Sequence, residues 1–254
     1  MTTQAKEKPL YLGHRERLRQ RFMVDEGASM PDYELLELLL TMAIPRRDVK
    51  PLAKKLINRF GDIGEVIHAP AHELMETGVS PNAIVLIKLV ATCNMRSSYN
   101  CVKESDEPIF SNWIQLEDYC FEKMAFKEEE EFRVFFLDSA YRLKGEKLIT
   151  TGTINKSSVS PREIIKAALE NKAVYIIMAH NHPSGDIKPS DADIKMTLNF
   201  QELADIMDLE LFDHIIIGRG GVHSLKADGY VKSKKEREKE KELRNKINNH
   251  PKNS

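Results

Sequence analysis

His180-Asn181-His182-Pro183-Ser184-Gly185-Asp186, followed by Ser190 and Asp193, sets two imidazoles and a carboxylate where a single metal ion could collect all three. Imidazole nitrogen and carboxylate oxygen are both zinc donors, and three protein ligands leave a fourth position for water, the open arrangement of a hydrolytic centre. A structural zinc closes its shell with four protein ligands, commonly thiolates. The cysteines, Cys93, Cys101 and Cys120, all lie far from this stretch in sequence.

A strand, a loop and a helix must bring these ligands together. Residues Val174 to Ala179 form a continuous apolar run that predicts a buried central strand. If the strand continues through the motif, His180 and His182 lie two residues apart and share a face. Pro183, Gly185 and Pro189 then force a loop. The helix expected after it carries an apolar stripe at Met196, Phe200, Leu203 and Met207, with Asp193 in its first turn facing the strand end. Ser190-x-x-Asp193 has the spacing of a capping box, a role that needs no metal. A His-x-His in a chain with eight histidines is a weak signal, and it gains weight from falling on one strand-loop-helix unit.

His-x-His, a spacer and Ser-x-x-Asp together resemble the JAMM (JAB1/MPN) metalloprotease motif. The surrounding words Gly152-Thr153, Pro161-Arg162-Glu163, His180 to Gly185 and Asp213-His214 resemble the bacterial RadC family, a branch of that fold, over about Gly13 to Tyr230. The resemblance implies an α/β (α+β) domain with a JAMM/MPN-like mixed β-sheet flanked by helices, preceded by a small all-α module like a helix-hairpin-helix. It also implies Zn2+ held by His180, His182 and Asp193, an upstream glutamate that holds the attacking water, and Ser190 as a donor to the oxyanion. The acidic run Glu128 to Glu131 leads into a plausible buried strand from Phe132 to Asp138. The family's Glu-x-Phe spacing selects Glu130. Glu131 is the rival, on the opposite strand face, and a solvated acidic edge is the remaining alternative.

Other candidates read as structural. Ser160-Pro161-Arg162-Glu163 is a helix start. Asp213 and His214 sit in an alternating segment, Leu209 to Ile217, as a satisfied and partly buried pair, and His223 falls in a hairpin arm after Gly218-Arg219-Gly220-Gly221.

Up to about Asn100 the pattern is helical, with Ser29-x-x-Asp32 as a start, recurring apolar positions from Leu52 to Phe60, and a further helix over Ile84 to Cys93. Gly78 to Ala83 is similar to the hairpin of a helix-hairpin-helix unit. Ser80 stands where a second glycine is expected, Pro81 lacks a donor, and Glu73 and Glu76 bring the wrong charge for phosphate. Residues 1–100 hold 14 Lys and Arg against 12 Asp and Glu, so weak DNA binding at most is expected. The clusters Arg15, Arg17, Arg19, Arg21 and Arg46, Arg47, Lys54, Lys55 read as solvated faces.

The expected organisation is a helical module at 1–100, a linker at 101–108, a catalytic domain at 109–231 and a charged tail at 232–254, frayed or disordered. No long apolar segment predicts a membrane span, Met1 to Lys6 lacks the apolar core of a signal peptide, and three scattered cysteines fit a reducing cytoplasm. The favoured function is zinc-dependent hydrolysis of a peptide or isopeptide bond. The alternatives are a non-enzymatic DNA-associated protein linked to repair or recombination, and a metal-dependent nuclease. The nuclease is disfavoured because one His-His-Asp site lacks the paired metals common in phosphodiester chemistry. Oligomeric state is not legible.

Overall fold

Helix-forming runs fill the first third of the chain and strand-forming runs enter only after it, and a computed structural model forms two compact units, 1–94 and 95–254. It describes residues 10–152 and 159–248; Met1 to Lys6, Thr153 and the tail end 249–254 lie outside them.

The first unit is helical: α1 (Leu10–Asp25), α2 (Asp32–Ala43), α3 (Lys50–Phe60), α4 (Ile63–His68), α5 (Ala71–Glu76) and the first part of α6 (Pro81–Lys103). Leu36, Leu40, Ala53, Leu56, Val66, Leu74 and Ile87 form its buried core. Ser29 does not cap α2. Pro31 occupies the N-cap, the Ser29 N–H donates to Asp25, and Asp32 accepts from the Ile63 N–H at 3.0 Å, tying α2 to the start of α4. Arg15 also departs from expectation: it is buried, and its guanidinium donates to the carbonyls of Ile44, Pro45 and Arg47. These carbonyls follow the α2 C-terminus, where orphan acceptors favour a cation. Gly78, at φ +91°, turns the chain between α5 and α6.

Helix α6 continues to Lys103, so residues 101–103, expected in a linker, are helical. A 3-10 turn at Ile109–Asn112 then leads into α7 (Trp113–Met124). The second unit is built on β1 (Glu131–Leu137), β2 (Leu143–Thr151), β3 (Tyr175–Asn181), β4 (Glu210–Gly218) and β5 (Gly221–Ser224), ordered β2-β1-β3-β4-β5. β3 runs parallel to β4 and the other pairings are antiparallel, which makes the sheet mixed. Strand alternation sorts the core into two layers. Phe132, Val134, Phe136, Ile176, Met178 and Ile216 pack with α8 (Pro161–Glu170) and α9 (Asp191–Ile206). Phe135, Leu137, Ile177, Ala179 and Ile215 pack with α7 on the other face.

Helix α9 is the crossover that a parallel β3/β4 pair requires. Its buried face keeps half of the predicted apolar stripe: Phe200 is buried and Met196 packs against the core, but Leu203 and Met207 are 40% and 43% exposed, and Thr197, Gln201 and Ala204 are buried instead. Two polar residues displace the rest of the stripe because both find partners. Gln201 accepts from the Lys232 N–H, and Thr197 bonds inward toward β4. Beyond the sheet, α10 (Lys234–Asn248) is helical. No described helix is long and apolar enough to cross a membrane.

Candidate metal centre

β3 delivers His180 from its buried end, with Phe132 opposite it on β1. The strand stops at Asn181, one residue before His182. The His182 N–H still donates to the Ile217 carbonyl of β4 at 2.8 Å, so the second imidazole is carried by a backbone that has only begun to turn. Gly185, at φ +85°, completes that turn, a conformation that suits glycine. The chain returns through Ser190, which caps α9 in a full capping box with Asp193.

These elements bring His180, His182 and Asp193 together, with one ligand atom of each within 4.8 Å of the others. Nε2 of His180 lies 3.0 Å from Nε2 of His182 and 3.3 Å from Oδ1 of Asp193, and the His182 nitrogen lies 3.5 Å from Oδ2. Burial opposes ionisation of Asp193, but hydrogen bonds to both imidazoles and Ser190 hold its carboxyl well below the usual carboxylate range. The Asp193 hydrogen bond raises the His182 pKa against the effect of burial, helped by the Asp186 carbonyl and the negative charge of Glu130.

The donor set suits zinc. His182 Nδ1 sits 2.7 Å from the Asp186 carbonyl, which can only accept, so Nδ1 keeps its proton; the imidazolium proton on Nε2, the one that bonds Asp193, is the one lost when the ring becomes neutral, and the Nε2 lone pair then faces the other ligands. Metal-binding imidazoles are commonly oriented by such a bond on the far nitrogen. The ligand atoms line a cavity of about 360 Å3 with Glu130, Ser190 and Met196 on its walls.

Glu130 and Glu131 part company here. Glu131 begins β1 on the α7 face, buried in an ionic network: 2.9 Å to Arg133 and 3.2 Å to Lys127, with Arg133 3.6 Å from Glu146. Glu130 has the strand parity of Phe132 and lines the metal-site cavity. Asn181 fixes this register. Fully buried between the two histidines in sequence, its side chain accepts from the Glu131 N–H at 2.7 Å and donates to the Glu129 carbonyl at 3.1 Å, gripping the backbone on both sides of Glu130.

Ser190 donates its hydroxyl proton to Oδ2 of Asp193 at 2.6 Å, and its own N–H donates to the same oxygen at 2.8 Å. The serine therefore fixes the carboxylate in this conformation. Glu163 lies exposed in the first turn of α8, outside the ligand group. His223 is in β5, bonded to Asp228 at 2.7 Å.

Asp213 and His214 are both on β4, and they serve different partners. The Asp213 carboxylate accepts from Ser224 and from the backbone of His214 and Lys226, which anchors the chain after β5; burial nevertheless raises its pKa. His214 turns the other way. Its Nε2 lies 2.8 Å from Nδ1 of His180, directly behind the candidate centre. It is fully buried, and burial with the neighbouring His180 keeps it well below the usual imidazole range. Sequence reasoning grouped His214 with Asp213; in a strand adjacent residues face opposite sides, and that alternation is the signal separating them.

The chain matches the RadC-like JAB domain family over residues 110–230. It is 43% identical over 225 residues to a UPF0758 protein of Ruegeria pomeroyi (strain ATCC 700808 / DSM 15171 / DSS-3), covering 88% of this chain and 100% of that relative. Sheet, motif and relative agree, and the chain belongs to the RadC family of JAB-domain proteins.

Proposed function

We propose that this protein is a zinc-dependent hydrolase that cleaves a peptide or isopeptide bond. The observation that carries the reading is the convergence of His180, His182 and Asp193 on a cavity that Glu130 also lines. His180, His182 and Asp193 would hold zinc, which would supply Lewis acidity toward a carbonyl and lower the pKa of water toward neutrality. Glu130, outside the ligand group, is the base that takes the proton from the attacking water and passes it to the leaving amine. Ser190 is the donor assigned to the developing oxyanion. Its hydroxyl donates to Asp193, so that role requires the bond to be exchanged as substrate binds.

An apolar hollow of about 180 Å3 adjoins the centre, lined by Ile164, Met178, Met196 and Phe200 and sharing Asp193 with it. It suits an aliphatic side chain next to a scissile amide better than a phosphodiester. The exposed Cys93 and Cys101 and the buried Cys120 are all free, in keeping with a reducing cytoplasm.

The test has two stages. Elemental analysis of metal-stripped protein reloaded with zinc is expected to give about one zinc per chain, the capacity of a single three-ligand site. His180→Ala, His182→Ala is expected to retain almost none, and equal zinc in both proteins would overturn the metal reading. The zinc-loaded protein is then assayed on peptide, isopeptide and DNA substrates. Cleavage of DNA alone would overturn the amide assignment.

A further inference from the structure

Behind the ligands, on the side away from the cavity, a hydrogen-bonded chain runs from one ligand to another. His180 Nδ1 is 2.8 Å from His214 Nε2, His214 Nδ1 is 2.6 Å from Thr197 Oγ1, and Thr197 Oγ1 is 2.6 Å from the Asp193 carbonyl oxygen. Thr197 and His214 are both fully buried. Closed to bulk solvent, these groups bond to one another, and every proton in the chain must lie on one side or the other of its bond.

We infer that His214 and Thr197 are positioning residues for the metal centre, and that their hydrogen-bonded chain fixes His180 as the Nδ1–H tautomer with its Nε2 lone pair aimed at the metal position. The inference rests on the metal reading of the triad and goes beyond it by assigning residues outside the ligand set.

The direction of each bond follows from the far end. A backbone carbonyl can only accept, so the single hydroxyl proton of Thr197 goes to Asp193. The threonine oxygen then has only lone pairs left for His214, and Nδ1 of His214 must carry a proton. A neutral imidazole has one N–H, so Nε2 of His214 is an acceptor, and the proton between it and His180 is on His180 Nδ1. The His180 Nε2 is left with a lone pair that faces His182 and Asp193.

His182 reaches the same tautomer through the Asp186 carbonyl. With both rings neutral, two lone pairs and a carboxylate oxygen therefore face one another without a proton of their own, an arrangement that a cation satisfies. A valine at position 197 would match the shape and remove the chain's anchor. A leucine at 214 would leave the His180 Nδ1–H buried without an acceptor, which favours moving the proton to Nε2, where it blocks the metal.

The experiment is performed on the full chain, stripped of metal and then titrated with zinc against a competing chelator. Imidazole 15N shifts of the metal-free protein at mildly alkaline pH, assigned by His180→Gln, read the tautomer directly. The expected result is a protonated Nδ1 and an unprotonated Nε2 on His180. His214→Leu is expected to lower zinc affinity roughly 10- to 100-fold, the range typical of lost outer partners, and Thr197→Val roughly tenfold. His214→Gln, whose amide can accept at one end and donate at the other, is expected to recover most of the affinity.

A His180 protonated on Nε2 in the wild type, or wild-type zinc affinity in a folded Thr197→Val or His214→Leu, would overturn the assignment. If His214→Leu fails to fold, the tautomer and the other two variants decide it. Absence of zinc uptake by the wild type would instead overturn the metal reading, while the 15N shifts still decide the direction of the chain.

Discussion

At the scale of single residues, the division of labour between Glu130 and Glu131 follows from strand parity and from Asn181. Glu131 is committed to Arg133 and Lys127 on the α7 face, whereas Glu130 lines the cavity beside His182. Glu130→Gln is therefore expected to fold normally and bind zinc near the wild-type level, with turnover down about a hundredfold or more, the usual yield of general acid–base catalysis. Glu131→Gln is expected to lose roughly 1.5–3 kcal/mol of stability, the range for a hydrogen bond to a charged group, with turnover largely kept in the folded fraction. Denaturant titration and steady-state assays of both variants check the contrast, and the reverse pattern would assign the base to Glu131. The convergence of His180, His182 and Asp193 was legible in the sequence because two histidines at strand spacing and a capped acid carry their own geometry. The sequence could not disclose His214. That side chain reaches His180 across the β3/β4 pairing, through a register shift between Ile176 and Ile177, and no local pattern encodes which strands become neighbours.

At the scale of elements, close approach of two backbones holds the loop that carries His182. A Cβ placed on Gly218 at the end of β4 would lie 2.6 Å from the Gly185 carbonyl oxygen and 3.1 Å from Ile187 Cγ2. The first is backbone and cannot rotate aside. Gly218→Ala must push away the loop that carries His182 and the Asp186 carbonyl orienting it. The expected loss is about 1–3 kcal/mol of stability, typical of overpacking, with zinc affinity lowered at least tenfold. Gly220→Ala is the control, because its Cβ would meet the same oxygen at an ordinary 3.5 Å, and near-wild-type zinc binding is expected. Isothermal titration with zinc of both variants distinguishes loop displacement from a general glycine effect. The same scale shows where periodicity misleads. The apolar stripe of α9 pointed to Leu203 and Met207, yet Thr197 and Gln201 are buried in their place, because polar side chains with specific partners can be buried at little cost. Strands β1 and β3 were legible for the opposite reason: both are covered on two faces, so β3 is apolar without a break from Ile176 to Ala179 and β1 is broken after Phe132 only by Arg133, which pairs with Glu131.

At the scale of the whole molecule, each unit has its own apolar core. Leu56 belongs to the helical one, fully buried among Leu36, Ala53 and Val66, while the candidate metal ligands all belong to residues 95–254. The hairpin between α5 and α6 adds little electrostatic reason for tight DNA binding, since Arg59, the cation beside Glu73 and Glu76, is paired with both. Leu56→Ala should therefore act on one unit. It is expected to cost about 2–5 kcal/mol, the range for truncating a buried leucine to alanine. The chain's single tryptophan, Trp113, lies in the second unit, its indole donating to Glu117 and packed near Phe212, so its fluorescence reports that unit while far-ultraviolet circular dichroism reports helices in both. In Leu56→Ala the dichroism is expected to show an early transition that the fluorescence does not follow, with zinc stoichiometry unchanged. Coincident early transitions by both probes, with loss of zinc, would show that the two units unfold as one and that the helical core supports the metal centre.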